Sequence, residues 1–211
     1  MATRPVFIPL TQGSFLVGRI DVEFMWHPGM ARSQRRKCIT SLHESANEQG
    51  ISNILEISTK SPDPIGVQAS AFNLTVPLAD GRCVPVELAF QSSKVFSTGG
   101  PYLDFLNMSP RQVKKDKRLK ESGHLIGFKF EGQEWPLIPD TLFYDWLYLR
   151  ALENNRSIRL EISSRPAFSD IEFNPAKAMN CQARSAALYT SLLARSELQE
   201  SSRRKDDNWM E

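Results

Sequence analysis

Residues 84–96 combine an apolar helical pattern with three polar side chains, and this stretch most constrains the fold. Glu87, Gln91 and Lys94 stand four and three residues apart, so a helix over the whole stretch places them on one face. That polar face is either an exposed helix edge or the wall of a cavity. The Gly99 and Gly100 that follow allow a ligand to approach the backbone closely, which favours the cavity.

The composition is typical of a globular protein. The chain has 211 residues, of which 41% are hydrophobic and 24% charged, with a net charge of +2. This length predicts a single domain over residues 1–195, followed by a polar and flexible tail over residues 196–211. No apolar run of about 18 residues indicates a membrane span. The N-terminus shows no secretory cleavage site, so we expect a cytoplasmic protein.

Cysteine and histidine are too sparse and scattered to form a recognisable site. Three cysteines without a close pair exclude a disulfide framework or a CxxC zinc site, and three histidines are equally dispersed. We therefore predict no metal and no cofactor. Walker, GxGxxG, HExxH and GxSxG motifs are absent, which disfavours the large enzyme families that those motifs mark.

Hydrophobic periodicity predicts a mixed α+β fold, with short strands and several surrounding helices in one compact domain. The expected helices are residues 33–49, 84–96, 109–123 with Ser109 as N-cap, 142–152 and 180–198. The expected strands lie in residues 6–25, 51–58 with Glu56 as a lone acid, 125–130, 135–137, 157–163 and 168–175. Residues 125–130 and 135–137 are expected to form a hairpin through a turn at Glu131 and Gly132.

Two basic segments, residues 35–37 and 111–120, allow two interpretations. Each is either a solvated helix face or a contact for pyrophosphate or nucleic acid, because each phosphate contact depends on a cation of this kind. Residues 58–61 add hydroxyls and a lysine at a strand end, which suits phosphate or ribose contacts but also an ordinary turn.

The carboxylates lie among aromatic and amide side chains, which suits chemistry at an anomeric carbon. Cleavage of a glycosidic bond needs one acid for the leaving group and a second carboxylate or nucleophile facing the sugar. Glu87, Asp145, Glu172 and Lys94 are the candidate catalytic groups. Asp145 lies within an apolar helix, where a carboxylate must be paired or must face a polar pocket.

Residues 69–74, Gly81 and then Glu87, Gln91 and Lys94 resemble the signature of the NADAR (YbiA-like) superfamily. Residues 171–175 resemble the glutamate-containing strand end of that family. More narrowly, residues 4–195 resemble the NADAR antitoxins that accompany DarT-type guanine ADP-ribosyltransferase toxins. Two departures stand out, because Leu88 replaces a frequent histidine and residues 177–184 lack the late Asp and Trp-Gly.

This resemblance implies an N-glycosidase that removes ADP-ribose from guanine in DNA, RNA or a nucleotide, with a cognate toxin as a potential partner. It implies Glu87 as the essential acid and Lys94 as nucleophile or phosphate ligand, while the second acid stays open. The substrate-binding residues that we predict are Ser70, Asn73, Gln91, Gly99, Gly100, Tyr102, Trp146, Asn174, Asn180, Gln182 and Arg184.

Two other functions remain open on the sequence. The chain is alternatively an NAD-consuming ADP-ribosyltransferase that uses residues 58–61 and a later glutamate, or a non-catalytic binder of ADP-ribosylated nucleic acid. A transferase consumes NAD and labels a target, whereas a hydrolase releases ADP-ribose without NAD.

Overall fold

The structure, a computed structural model, describes residues 1–195. Its contacts divide the chain into two compact units. Unit 1 comprises Met1–Ser70 together with residues 156–195, and unit 2 comprises Ala71–Asn155. The predicted flexible tail, residues 196–211, lies outside the described residues, and the single-domain boundary stays a prediction.

The described residues alternate between short strands and mostly short helices. The strands are β1 (Ala2–Pro9), β2 (Val17–Phe24), β3 (Ile54–Glu56), β4 (Thr75–Pro77), β5 (Cys83–Pro85), β6 (Lys94–Phe96), β7 (Leu125–Phe130), β8 (Gln133–Trp135) and β9 (Ala167–Ser169). The α-helices are α1 (Arg32–Glu48), α2 (Pro64–Gln68), α3 (Val86–Ser92), α4 (Pro110–Val113), α5 (Arg118–Glu121), α6 (Leu142–Glu153), α7 (Arg156–Ser163) and α8 (Gln182–Ala194). A 3₁₀ helix spans Leu103–Asn107. The predicted α+β class is confirmed.

Unit 1 is built on a four-stranded sheet of order β2-β1-β9-β3. Strands β1 and β2 form a long antiparallel hairpin, whereas β9 pairs antiparallel with β1 and parallel with β3. Helix α1 covers one face with an apolar stripe at helical spacing, which packs with the buried hairpin residues into one core. The members of this core on α1 are Cys38, Ile39, Leu42 and Ala46.

Unit 2 contains the two-stranded sheet β4-β5 and the three-stranded sheet β6-β7-β8. The predicted hairpin β7-β8 is confirmed, and its turn places Glu131 and Gly132 at φ angles of 48° and 83°, the left-handed region that glycine tolerates best. Aromatic side chains from α3, α6 and these strands pack on one another. They are Phe90, Phe128, Phe130, Trp135, Phe143, Tyr144 and Trp146.

Residues 157–163 were predicted to form a strand, and that prediction is wrong because they form helix α7. The alternation of Ile158, Leu160 and Ile162 favoured a strand. In the structure Ile158 and Ile162, four residues apart, are buried, while Leu160 between them is 57% exposed. This is the one-sided burial of a helix, so a short apolar alternation was misread.

Residues 109–123 were predicted to form one basic helix, and this is also wrong because they form α4 and α5 with a turn between them. Ser109 caps α4 as expected, through a capping box with Gln112. Asp116 then accepts a hydrogen bond from the backbone N–H of Arg118 at 2.9 Å, which favours a turn over a continuous helix. Arg118 pairs with Asp116 and Asp104, so the segment does not present one cationic face.

The predicted strand over residues 168–175 is shorter than expected. Strand β9 ends at Ser169, and Asp170 accepts hydrogen bonds from the backbone N–H groups of Glu172 and Phe173 at 3.0 and 3.2 Å. This side-chain turn ends the strand. Glu172 therefore lies in a turn. Within residues 1–195, no helix has the length and apolar character needed to cross a membrane.

Candidate functional site

Glu87 and Gln91 lie one turn apart on helix α3, as predicted. Gln91 Nε2 donates a hydrogen bond to Glu87 Oε1 at 3.2 Å. Both side chains are half-buried, and Gln91 Oε1 is buried without a hydrogen-bond partner among the described residues. A buried acceptor without a donor is unfavourable by about 1–3 kcal/mol. This oxygen is therefore suited to receive a hydrogen bond from a ligand.

Lys94 does not continue this helical face, which corrects the prediction of one helix over residues 84–96. The hydroxyls of Ser92 and Ser93 donate to the carbonyl oxygen of Ala89 at 3.0 and 2.7 Å. Helix α3 ends at Ser92, and Lys94 is the first residue of strand β6, where it pairs with Phe128 of β7. Serine hydroxyls compete with helical hydrogen bonding in this way. Lys94 is thus fixed by a sheet.

The Lys94 side chain lies in an apolar environment. Its Nζ atom lies 5.0 Å from the centroid of the Phe90 ring. Burial lowers the pKa of Lys94, and the negative charge of Glu87 opposes that shift. A desolvated lysine reaches its neutral, nucleophilic form more readily than an exposed one. This environment suits a nucleophile better than a permanent cation.

Gly99 and Gly100 lie against the backbone that holds Lys94. A β-carbon on Gly100 would stand 2.3 Å from the Lys94 carbonyl oxygen, and Gly100 has a φ of +83°. A β-carbon on Gly99 would stand 2.2 Å from the Tyr102 hydroxyl oxygen. Tyr102 shares a hydrogen bond with the hydroxyl of Ser122. These three predicted binding residues therefore support β6, and their contact with substrate stays a prediction.

Asp145 and Trp146 lie side by side on helix α6, which packs against α3. Asp145 is 1% exposed, so its carboxyl group sits in the interior of unit 2. Trp146 belongs to the aromatic cluster, with its ring centroid 4.6 Å from that of Trp135. Arg150 covers the same ring at 5.3 Å. Trp146 is thus a half-buried member of the aromatic cluster, and both its contact with substrate and the catalytic role of Asp145 stay predictions.

Unit 1 holds a second polar centre, a pair of buried carboxyl groups on Glu56 and Asp170. They are 1% and 7% exposed. Burial raises the pKa of Glu56, and burial together with the Glu56 charge raises the pKa of Asp170 to about 8. Two buried carboxyl groups that repel each other do not both ionise readily at neutral pH.

Hydrogen bonds connect this acid pair to the surrounding elements. The Ser169 hydroxyl donates to Glu56 Oε2 at 2.5 Å, and His43 Nε2 lies 2.8 Å from the same hydroxyl. Burial lowers the pKa of His43 to about 4, so its ring is neutral near pH 7. Gln182 Nε2 donates to Asp170 Oδ2 at 3.0 Å and to the Ile57 carbonyl at 2.7 Å.

The remaining predicted residues have diverse surroundings. Glu172 Oε1 pairs with Arg35 Nε at 2.9 Å. Asn180 Oδ1 is buried and has no hydrogen-bond partner among the described residues. The Ser70 hydroxyl donates to the Val67 carbonyl at 2.7 Å, and Asn174 Oδ1 accepts from the Ala176 N–H at 3.1 Å. Arg184 lies in the first turn of α8, and Asn73 follows α2 in the loop before β4.

The acid pair was the main feature that sequence reasoning missed. Glu56 stood out as a lone acid within a buried strand, and such a residue requires a partner. Asp170 follows a short strand whose pairing with β3 brings it near Glu56. No sequence pattern indicates that pairing, because the two residues are 114 positions apart.

The acid pair predicts a pH dependence of stability. An Asp170 pKa of about 8 in the folded state, against about 3.9 when unfolded, means that the native state binds the extra proton between these values. The free energy of unfolding is therefore expected to fall as pH rises, by up to about 1.4 kcal/mol per pH unit. Below about pH 6.5 the lowered pKa of His43 acts in the opposite direction. Urea unfolding between pH 6.5 and 8 therefore measures the contribution of the acid pair without that of His43.

The matched variants for this measurement are Asp170→Asn and Asp21→Asn. Asp21 is exposed and pairs with Arg19, so its replacement should leave the slope unchanged. Asp170→Asn should flatten the slope, whatever it does to absolute stability. A wild-type stability that rises over this range, or an equal slope in Asp170→Asn, would contradict the raised pKa.

Two cavities lie within unit 2. The larger, of about 700 Å³, is lined by residues that include Asp80, Arg82, Asp104 and Lys129. The smaller, of about 390 Å³, is bordered by Gly100. Glu87, Gln91 and Lys94 line neither of these two. Among residues 1–195, no three His, Cys, Asp or Glu side chains are grouped so that they could hold a metal ion.

Comparison with known proteins agrees with the resemblance seen in the sequence. A family model described as a DarT1-associated NADAR antitoxin matches residues 2–210, nearly the whole chain. No curated protein matches the chain. The match spans Glu87, Gln91 and Lys94 as well as the buried acid pair. The chain therefore belongs to the NADAR antitoxin family associated with DarT1.

Proposed function

We propose that this protein is an antitoxin that hydrolyses the bond between ADP-ribose and guanine in DNA, and so reverses the modification made by a DarT1 toxin. The family match supports the association with the toxin. The observation that carries the chemistry is the desolvated Lys94 amine, whose environment includes the Glu87 carboxylate. Cleavage at an anomeric carbon needs a nucleophile and a group that transfers protons, and the Lys94 amine and the Glu87 carboxyl group are suited to these two roles.

The reaction consumes one water molecule. The bond between the anomeric carbon of ribose and a guanine nitrogen breaks, the guanine nitrogen gains a proton, and the ribose carbon gains a hydroxyl group. The transition state resembles an oxocarbenium ion, as in other glycosidic cleavages. Free ADP-ribose and intact guanine are the products, and NAD is neither formed nor used.

Lys94 supplies the nucleophile in this proposal. Its neutral amine attacks the anomeric carbon as guanine leaves, forming a covalent link that water later breaks. Two features support this role: burial lowers the Lys94 pKa, and pairing with β7 holds the residue on a strand. A nucleophile fixed in position loses little entropy at the transition state.

Glu87 supplies the proton transfers. Its carboxylate takes a proton from the Lys94 ammonium group, which frees the amine to attack, and passes that proton to the departing guanine nitrogen. It then takes a proton from the attacking water and returns it to Lys94 as the covalent link breaks. Gln91 orients it through the 3.2 Å hydrogen bond, and the free acceptor Gln91 Oε1 receives a hydroxyl or amino group of the substrate. Asp145 is the second candidate acid, since it is buried on a neighbouring helix.

Glu172 is better suited to positioning than to proton transfer. Its carboxylate pairs with Arg35 Nε at 2.9 Å, so the oxygen is already engaged by a guanidinium group that it can orient. In our proposal Glu172 holds the Arg35 side chain. The protein would act in the cytoplasm on the same DNA as the toxin, and removal of the modification requires no direct contact with the toxin.

The test is incubation of the full-length protein with guanine-ADP-ribosylated DNA, with chromatographic detection of free ADP-ribose. We expect ADP-ribose and unmodified guanine to accumulate over many turnovers. An unmodified oligonucleotide with NAD is the matched control, in which neither NAD loss nor labelling should occur. NAD consumption with labelling would favour a transferase. Stoichiometric binding without release would favour a non-catalytic binder.

A further inference from the structure

Two arginines in unit 1 lie close to the same tryptophan. The Cζ atom of Arg4, on β1, lies 5.4 Å from the centroid of the Trp26 ring, and that of Arg35, on α1, lies 4.7 Å from it. Burial lowers the pKa of Arg4, and the charge of Arg35 lowers it further. Two like charges thus share a small volume, which is unfavourable unless something compensates for them.

The hydrogen bonds of the two guanidinium groups are incomplete. Arg4 Nη1 donates to the Thr3 carbonyl at 2.9 Å, but Arg4 Nε is buried without a partner among the described residues. Arg35 Nε pairs with Glu172, but Arg35 Nη1 is likewise buried and unpartnered. Each unmade bond to a buried charged donor is costly. Each arginine therefore offers a donor that protein atoms leave unused.

The charges nearby do not balance. Two carboxyl groups, those of Glu172 and Asp170, act electrostatically on Arg4. Asp170 has its pKa raised to about 8 and is mostly protonated at neutral pH. Glu172 is then one negative charge against two guanidinium groups, and its side chain is 43% exposed. The cluster carries a net positive charge and attracts an anion.

We propose that Arg4 and Arg35 form a binding site for the pyrophosphate of a nucleotide, with Trp26 holding both guanidinium groups in place. A guanidinium matches the oxygens of a phosphoryl group with a planar fork of N–H donors. Two guanidinium groups, each with an unused donor, match two linked phosphoryl groups. That the nucleotide is ADP-ribose rests on the proposed function. The anion site itself is inferred only from the contacts of Arg4, Arg35 and Trp26.

The test is calorimetric titration of the full-length chain with inorganic pyrophosphate and with ADP-ribose. Arg4→Gln and Arg35→Gln should each weaken binding of both ligands by about 10- to 100-fold, as loss of a charged hydrogen bond implies. Arg19→Gln is the matched control, because Arg19 is exposed on β2 and pairs with Asp21. It should bind as the wild type does. Unchanged affinity in both test variants would overturn the site.

Two further arms keep the result interpretable. Arg35→Lys retains the positive charge that faces Glu172 but loses the planar fork of donors. Its thermal melting temperature should be that of the wild type. Its affinity for pyrophosphate should nevertheless be at least about 10-fold lower. Full affinity in that variant would count against the site. An unmodified single-stranded oligonucleotide offers backbone phosphates only. If the variants lost affinity for it as much as for ADP-ribose, the pyrophosphate assignment would be wrong.

The binding measurement also separates this site from the proposed function. If the wild type releases no ADP-ribose from modified DNA but the arginine variants lose pyrophosphate binding, the function fails and the site stands. If hydrolysis proceeds and the variants bind ADP-ribose as the wild type does, the function stands and the site fails.

Discussion

Replacing Lys94 with arginine is expected to slow the release of ADP-ribose from modified DNA by about 10³-fold or more, the scale seen when a covalent nucleophile is removed. Arginine keeps the positive charge and much of the length of the side chain, but it stays protonated at every accessible pH. It therefore preserves an electrostatic contact and removes the nucleophile. Single-turnover release of ADP-ribose measures the chemical step directly.

The matched control for this change is Lys129→Arg. Lys129 lies on β7 next to Phe128, the residue that pairs with Lys94, and its side chain is 45% exposed. This variant should keep the wild-type rate. If Lys94→Arg retained a tenth of the wild-type rate or more, Lys94 would be a phosphate ligand, the alternative role that the sequence left open.

The wild-type rate should also depend on pH in a defined direction. In the proposed step Lys94 and Glu87 share one proton, which reaches the leaving guanine through Glu87, and deprotonation of the lysine removes it. Burial lowers the Lys94 pKa, so the rate should fall as pH rises through that lowered value, at a lower pH than for an exposed lysine. Lys94→Arg should lose this fall. A rate independent of pH across that range in the wild type would argue against a lysine nucleophile.

Local sequence patterns correctly predicted the longer elements that bury only one face. Helix α1 appeared within one residue of its predicted bounds, because Ile39, Leu42 and Ala46 recur at helical spacing and bury one face. The β7-β8 hairpin was equally clear, since Glu131 and Gly132 form its turn. The family match later confirmed the resemblance that rested on the residues around Glu87.

The wrong predictions share a physical cause, which is competition between short-range patterns. In α7, the alternation of three apolar residues favours a strand, whereas two of them, Ile158 and Ile162, also fit one face of a helix, and burial in the structure decides for the helix. After Ala89, two serine hydroxyls end α3 before Lys94. The single helical face expected for Glu87, Gln91 and Lys94 is therefore wrong, whereas their role in the site stays a prediction. Lys94 is instead placed by strand pairing.

The unit 1 sites were beyond sequence reasoning because they depend on long-range strand pairing. Glu56 and Asp170 meet through β3 and β9, and Arg4, Trp26 and Arg35 come from three separate segments. Each of these residues alone has an ordinary role, such as a strand-end acid or a surface cation. Only the structure reveals that donors on Arg4 and Arg35 are buried and unused.

Replacing Glu87 with glutamine is expected to reduce ADP-ribose release by at least about 10²-fold, the lower end of what general acid and base catalysis contributes. The amide has nearly the shape of the carboxylate, and its oxygen can still accept the hydrogen bond from Gln91 Nε2. It cannot transfer a proton at neutral pH. Binding of ADP-ribose should therefore stay close to wild type while the single-turnover rate falls.

Glu134→Gln is the control for this substitution, because Glu134 lies in the same unit and its side chain is 80% exposed. Its rate should be that of the wild type. If Glu87→Gln kept the full rate, the acid role would pass to Asp145, and Asp145→Asn would then have to show the loss.

Glu87 and Lys94 act in one step in our proposal, so the variant carrying both Glu87→Gln and Lys94→Arg should be little slower than Lys94→Arg alone. Losses that multiplied instead would mean that the two residues contribute independently, and the nucleophile and acid would have to be sought in separate places.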